Sequence, residues 1–160
     1  MTGTGLVGAT VVHPGAGAAL RDVTLLAEPG ELLVVLGPSG SGKSTLLRAI
    51  AGLIGLRSGS VWIDGEDVTH WPPGQRDLAM VFEYAALLPF LDVSGNLGFG
   101  LTLRHRPKDE VDERVRAQAK GLHLTRLLSR RPATLSAGER AQVGIGRALI
   151  RVPKAFLLDE

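Results

Sequence analysis

The nine residues Gly37-Pro38-Ser39-Gly40-Ser41-Gly42-Lys43-Ser44-Thr45 constrain this chain more than any other stretch. They fit the spacing G-x-x-x-x-G-K-[ST], and their surroundings decide whether the match carries meaning. Leu32-Leu33-Val34-Val35-Leu36 precedes them, an apolar run long enough for one buried strand. Leu46-Leu47-Arg48-Ala49-Ile50-Ala51 follows, with Leu46, Leu47 and Ile50 on one helical face. Strand, glycine-rich turn and helix, in that order, are what a phosphate-gripping loop requires. The glycines let the backbone curl until several N–H groups point at one anion. The helix N-terminus adds unbonded donors and partial positive charge. Lys43 brings a full charge to the outer phosphates, and the Ser44 hydroxyl can ligate Mg²⁺. A Gly/Ser turn that happens to contain Lys is the plainer reading, and the flanking elements disfavour it.

The chain has 160 residues, enough for one domain with a core, and its 44% apolar and 21% charged residues predict a globular rather than a disordered chain. With no cysteine, neither disulfides nor thiolate metal sites are available. The longest strongly apolar runs are about five residues, far below the ~20 needed to span a bilayer. The N-terminus shows no basic, apolar, cleavable pattern, so the expected location is cytoplasmic, with any membrane work done through a partner. A net charge of +2 is too small to imply nucleic acid. The charge is uneven, because residues 104–131 hold nine Lys/Arg against four Asp/Glu. That segment could face phosphates, lipid head groups or an acidic partner, or be a solvated helical face.

Residues 6–36 read as strands and turns: Leu6-Val7 with Thr10-Val11-Val12, a turn at 13–17, Val23-Thr24-Leu25-Leu26, and a turn at Pro29-Gly30. A hairpin feeding the strand before the phosphate loop is the simple inference. Gly52 closes the helix after the loop. Val61-Trp62-Ile63 is a short strand with a tight turn at Asp64-Gly65. Trp71-Pro72-Pro73-Gly74 breaks the chain, and Leu78-Ala79-Met80-Val81-Phe82 is a buried strand candidate ending at Glu83. From about Leu87 the pattern turns helical. Pro107 suits a first helical position, with Asp109 and Glu110 in the first turn. Val111, Val115 and Leu122 are spaced to face a core. Ser136 and Glu139 form a capping box at the start of a last helix, in which Gly144 and Gly146 cost ~1 kcal/mol each relative to Ala. Those glycines mark close packing, or a helix held by its surroundings. Ala155-Phe156-Leu157-Leu158 is a buried strand ending in Asp159-Glu160.

Three motifs in order resemble the ATP-binding cassette ATPases: the phosphate loop, Leu135-Ser136-Ala137-Gly138-Glu139, and the apolar strand with Asp159-Glu160. The middle motif lies about 90 residues downstream of the first, which removes most other phosphate-loop families. Asp67-Val68-Thr69, Pro72-Pro73, Arg76, Met80-Val81-Phe82, Pro89, Asn96 and Phe99-Gly100-Leu101 look like the ATPase subunits of carbohydrate importers of the maltose and glycerol-phosphate type. Gly146-Arg147-Ala148-Leu149-Ile150-Arg151 with Pro153-Lys154 is similar to the same group. Polyamine, sulfate and iron importers share much of this text.

The resemblance implies an α/β fold: a phosphate-loop NTPase core with an N-terminal antiparallel β region (1–83), a helical subdomain (84–150) and a return to the core (151–160). The C-terminal part of the domain is expected to be absent from these 160 residues. It implies that residues 37–45 bind ATP phosphates, that Ser44 and Asp159 hold Mg²⁺, and that Glu160 polarises the attacking water. Glu83 falls at the position that senses the γ-phosphate, beside the metal. Leu135, Ser136, Ala137, Gly138 and Glu139 would contact ATP held by an opposite protomer. The implied partners are a second ATPase protomer, two membrane permease subunits and a solute-binding protein, with no nucleic acid. The implied location is the cytoplasmic face of the membrane, peripheral through the permeases.

The sequence departs from the family at four places. No aromatic residue precedes Trp62, so His13 is left to stack on adenine or to serve as a turn residue. Glu83 replaces the usual Gln. A carboxylate ~4 Å from a phosphate charge at an effective dielectric of ~20 is opposed by about 4 kcal/mol. Glu83 is therefore expected to be ligated, protonated or swung away. Ala137 and Glu139 replace the usual Gly and Gln. The interface loop, switch histidine and further strands of the family are expected to lie outside these 160 residues. The isolated segment is accordingly expected to show little ATPase activity. The expected function is the ATP-hydrolysing subunit of a carbohydrate-type importer. The rivals are an importer of another solute, a soluble cassette ATPase acting on nucleic acid or ribosomes, and a non-hydrolysing nucleotide-binding module.

Overall fold

The computed structural model describes residues 3–13, 15, 17–82 and 86–159. The chain divides into two units, Met1–Leu78 together with Asp159, and Ala79–Leu158.

In the first unit the alternating apolar residues of the N-terminal stretch form the expected hairpin. Strand β1 (Thr4–His13) pairs antiparallel with β2 (Gly17–Ala27). On its other edge β1 pairs antiparallel with β3 (Ser58–Ile63), which turns into the short β4 (Glu66–Asp67), giving the order β2-β1-β3-β4. The Asp64-Gly65 turn has positive φ at both residues, 53° and 83°, as a tight hairpin turn requires. Leu6, Ala9 and Val11 of β1 are fully buried, with Val61 and Ile63 of β3. The register shift between Val7 and Thr10 keeps Leu6 and Ala9 both inward despite their odd spacing. Helix α1 (Lys43–Ala51) packs Leu46, Ala49, Ile50 and Ala51 toward this core. It ends at Gly52, whose φ of 79° is the left-handed C-terminal conformation expected there.

Residues 32–36 do not form the buried strand their composition predicts. They carry no strand assignment, and Leu32, Val34 and Leu36 are 82%, 63% and 87% exposed. The physical reason is a missing partner. A five-residue apolar run becomes an interior strand only when neighbouring strands take up its N–H and C=O groups and another layer covers its side chains. Among the described residues nothing pairs with it.

In the second unit β5 (Leu78–Val81) pairs with β6 (Ala155–Leu158). The expected strand to Phe82 stops one residue earlier. Strand β6 is only partly buried: Leu157 is enclosed, while Phe156 and Leu158 are 44% and 61% exposed, because one face of the two-stranded sheet is left bare. The helical pattern expected from Leu87 begins at α2 (Val93–Thr102), since residues 86–92 form a looped approach that Asp92 caps through the Gly95 N–H. Helix α3 (Lys108–Gly121) has Pro107 as its cap rather than its first residue, with Asp109 and Glu110 in the first turn as expected. Helix α4 (Ala137–Leu149) completes the bundle. Val93, Leu97, Leu101, Val115, Leu124 and Val143 form its centre, with Val111 and Leu122 packed against them. A Cβ on Gly146 would lie 2.7 Å from Leu97 Cδ2 and 2.9 Å from Leu122 Cδ1, so this helical glycine marks close packing.

Candidate functional site: a phosphate loop with a hydroxyl–carboxylate pair

The phosphate loop lies wholly in the first unit. Its backbone turns at Gly40 (φ 80°) and at Gly42 (φ 97°), the residue that caps α1. A side chain at Gly42 would be strained by that φ, and its Cβ would sit 2.7 Å from the Ala19 carbonyl oxygen. Helix α1 therefore starts at Lys43, and the N–H groups of its first turn have no partner within the helix. The Lys43 ammonium donates to the Gly37 and Pro38 carbonyls at 2.8 and 2.9 Å, which closes the loop on itself. Beside it is a concavity of about 300 Å³ lined by Leu20, Val23, Pro38, Ser41 and Lys43 among others. Residues 37–41 are exposed, so the loop is open to a ligand from solvent.

The Ser44 hydroxyl donates to Asp159 Oδ1 at 2.8 Å, joining two residues 115 positions apart. Asp159 is 9% exposed. A hydroxyl and a buried carboxylate at the first turn of the phosphate-loop helix are hard oxygen donors of the kind Mg²⁺ takes, with phosphate and water oxygens filling the remaining positions. Among the described residues no group of three or more His, Cys, Asp or Glu forms a denser metal cage. One hydroxyl and one carboxylate leave most of a hexacoordinate Mg²⁺ to phosphate and water oxygens, a set that fits Mg²⁺ bound with a phosphate.

His13, which the sequence offered as an adenine-stacking or a turn residue, lies at the end of β1 with Nε2 3.4 Å from Thr45 Oγ1, so the first strand reaches the loop. Glu83 and Glu160 lie outside the described residues.

The Leu135–Glu139 stretch lies in the second unit. Leu135 is buried, while Ser136, Ala137 and Gly138 are exposed at the N-terminus of α4. The reciprocal capping box is formed: Ser136 N–H donates to Glu139 Oε2 at 2.7 Å, and Glu139 N–H donates to Ser136 Oγ at 3.2 Å. The Ser136 N–H bond holds the Glu139 carboxyl below its ordinary pKa. Among the described residues, no atom beyond its chain neighbours and its own helix backbone lies within 4 Å of a Cβ placed on Gly138, so the space beside it is open. Arg140 donates to the Leu135 carbonyl and fixes the entry to the helix.

Two second-unit residues that the sequence offered only as points of family likeness have clear tasks. Asn96 is fully buried; its amide donates to the Leu88, Leu91 and Asp92 carbonyls and accepts from the Leu88 N–H, so one side chain folds the 88–92 loop onto α2. Arg147 donates to the Ala86 carbonyl at 2.9 Å. The signal that could have found Asn96 is Asp92, a capping residue type four positions before it that marks the start of the helix.

The family described as ABC transporter matches residues 20–160. The uncharacterised ABC transporter ATP-binding protein YurJ of Bacillus subtilis (strain 168) is 49% identical over 141 residues, covering 88% of this chain and 38% of the relative. The sn-glycerol-3-phosphate import ATP-binding protein UgpC of Salmonella typhimurium is 45% identical over 160 residues, all of this chain and 45% of the relative. The chain thus spans less than half the length of these curated relatives. Among solved structures, a dimeric post-hydrolysis state of the ATP-binding cassette MJ0796 bound to ADP and Pi superposes with a TM-score of 0.88 at 30% identity, covering 98% of this chain and 73% of that one. With the phosphate loop, the hydroxyl–carboxylate pair and the capped helix in place, the chain belongs to the ABC transporter family.

Proposed function

We propose that this chain is the ATP-binding part of an ATP-hydrolysing subunit that drives solute import. The observation that carries the reading is the Ser44–Asp159 hydrogen bond at the first turn of the phosphate-loop helix. Phosphoryl transfer needs little covalent help from a protein; it needs the phosphates held and their charge offset. Residues 37–45 bind the phosphate chain through the loop and α1 N–H groups. Lys43 exchanges the Gly37 and Pro38 carbonyls for phosphate oxygens. Ser44 and Asp159 hold Mg²⁺, which when bound neutralises charge on the phosphate oxygens. Glu160, next in the chain after Asp159, orients the attacking water, and Glu83 senses the γ-phosphate. His13, close to Thr45, lies beside the nucleotide base. The exposed N-terminus of α4, residues 135–139, meets ATP held by a second protomer, with its N–H groups turned to the phosphate.

The relatives named as sn-glycerol-3-phosphate importers support a sugar- or polyol-phosphate-type solute. The partners are then a second ATPase protomer, two permease subunits and a solute-binding protein, with no nucleic acid. No described helix is long and apolar enough to cross a membrane, and the subunit is held at the cytoplasmic membrane face through its permeases.

The test is the full-length protein reconstituted with its permeases in vesicles, with ATP binding and phosphate release measured separately. Mg²⁺-dependent release is expected, lowered in Asp159→Asn by about a hundredfold, the scale of one preorganised electrostatic contact. Tight ATP binding without release would favour a non-hydrolysing module. Release that ignores sn-glycerol-3-phosphate and its binding protein would move the solute to another carbohydrate or to the polyamine, sulfate or iron class.

A further inference from the structure

Arg76 is 5% exposed, and its guanidinium is spent on main-chain carbonyls. Nη1 donates to the Ala49 and Ile50 carbonyls at 3.1 and 2.8 Å, in the last turn of α1. Nη2 donates to the Thr69 carbonyl at 3.0 Å, and Nε donates to the Trp71 carbonyl at 3.0 Å. One planar fork therefore bridges the C-terminus of the phosphate-loop helix and the segment that follows β4. Burial lowers the Arg76 pKa from its ordinary value, and four main-chain carbonyls hold its guanidinium. The fit is mutual: a Cβ on Gly52 would lie 2.6 Å from Arg76 Cζ and Nε.

The last carbonyls of a helix have no partner within it, and they carry its partial negative charge. Helix α1 has only nine residues, about 13 Å of length. Its N-terminal end carries Lys43 and the orphan N–H groups aimed at phosphate. A short helix loaded at one end holds its direction only if the other end is fixed. We propose that Arg76 is a positioning residue for the nucleotide phosphates: it clamps the C-terminus of α1 to the 69–71 turn and so sets where Lys43 and the first-turn N–H groups point. The inference rests on the assignment of residues 37–45 to ATP phosphates. Lysine cannot replace the fork, because a single ammonium has no fixed plane with which to serve both the helix end and the turn.

The experiment titrates the full-length protein with Mg²⁺-ADP and, separately, with pyrophosphate, well below the unfolding temperature. Arg76→Gln is expected to weaken both by about tenfold, or 1.4 kcal/mol, and Arg76→Lys by about threefold. Equal losses for the two ligands locate the defect at the phosphate end rather than at the nucleoside. Wild-type affinity in a folded Arg76→Gln protein overturns the inference, as does a loss of ADP binding with pyrophosphate binding intact. If Arg76→Gln does not fold, Arg76→Lys decides: affinities equal to wild type for both ligands overturn the inference. A wild-type protein that binds neither ligand overturns the ATP reading, and the Arg76 inference with it.

Discussion

At the residue scale, the site is built from side chains that already have partners. The Lys43 ammonium is held by two loop carbonyls, Ser44 by Asp159, and Glu139 by the Ser136 N–H. Each bond fixes the direction of a side chain in the folded chain. The Glu139 contact has a pH consequence. Its folded pKa lies below the unfolded value of about 4.3, so the native state favours the carboxylate. The stabilisation is present above the unfolded pKa and is lost as pH falls through the folded one. In Glu139→Gln that dependence should vanish while the amide keeps the capping box. Urea midpoints followed from pH 6 down to about pH 3 should fall less steeply in the variant than in wild type; parallel curves would show that the bond contributes nothing. Such local bonds were legible in the sequence, because a capping box spans only three positions. The Ser44–Asp159 pair was legible only through family likeness, since nothing local links residues so far apart.

At the scale of elements, periodicity served well where an element makes its own contacts or has its partner nearby in sequence. The β1–β2 hairpin, the Asp64-Gly65 turn, the Gly52 stop and the acidic first turn of α3 all rest on short-range chemistry. The start of α2 was misplaced because Leu87, Leu88 and Leu91 look helical, whereas Asp92 and the buried Asn96 fold that stretch into a loop. Gly146 shows tertiary packing overriding propensity. Alanine is the better helix former by about 1 kcal/mol. Its Cβ, however, would press on Leu97 and Leu122 at 2.7 and 2.9 Å, and overpacking costs roughly 1–3 kcal/mol. Gly146→Ala should therefore leave the protein neutral to about 2 kcal/mol less stable, against the propensity scale. A chemical denaturation curve showing a clear gain in stability would mean that Leu97 and Leu122 yield freely.

At the scale of the whole molecule, the decisive stretch is residues 32–36. Exposure along it alternates: Leu32, Val34 and Leu36 stand out at 82%, 63% and 87%, while Leu33 and Val35 are at 37% and 39%. That period of two belongs to an extended backbone that lacks a sheet. The sequence announced a buried strand because composition records what a strand is made for. It could not announce the exposure, which depends on which partners are at hand. With Phe156 and Leu158 also bare, these 160 residues present apolar strand-like surface to water. Such surface with unsatisfied main-chain groups templates pairing with another copy. The 160-residue segment prepared alone should therefore self-associate at micromolar concentration, as light scattering or sedimentation would record. Val34→Lys places a charge at the centre of the run, at a position already mostly exposed, so it should reduce association without changing the far-ultraviolet circular dichroism. A wild-type segment that stays monomeric up to ~100 μM, a concentration where exposed edges normally aggregate, would show that residues 32–36 are shielded in solution.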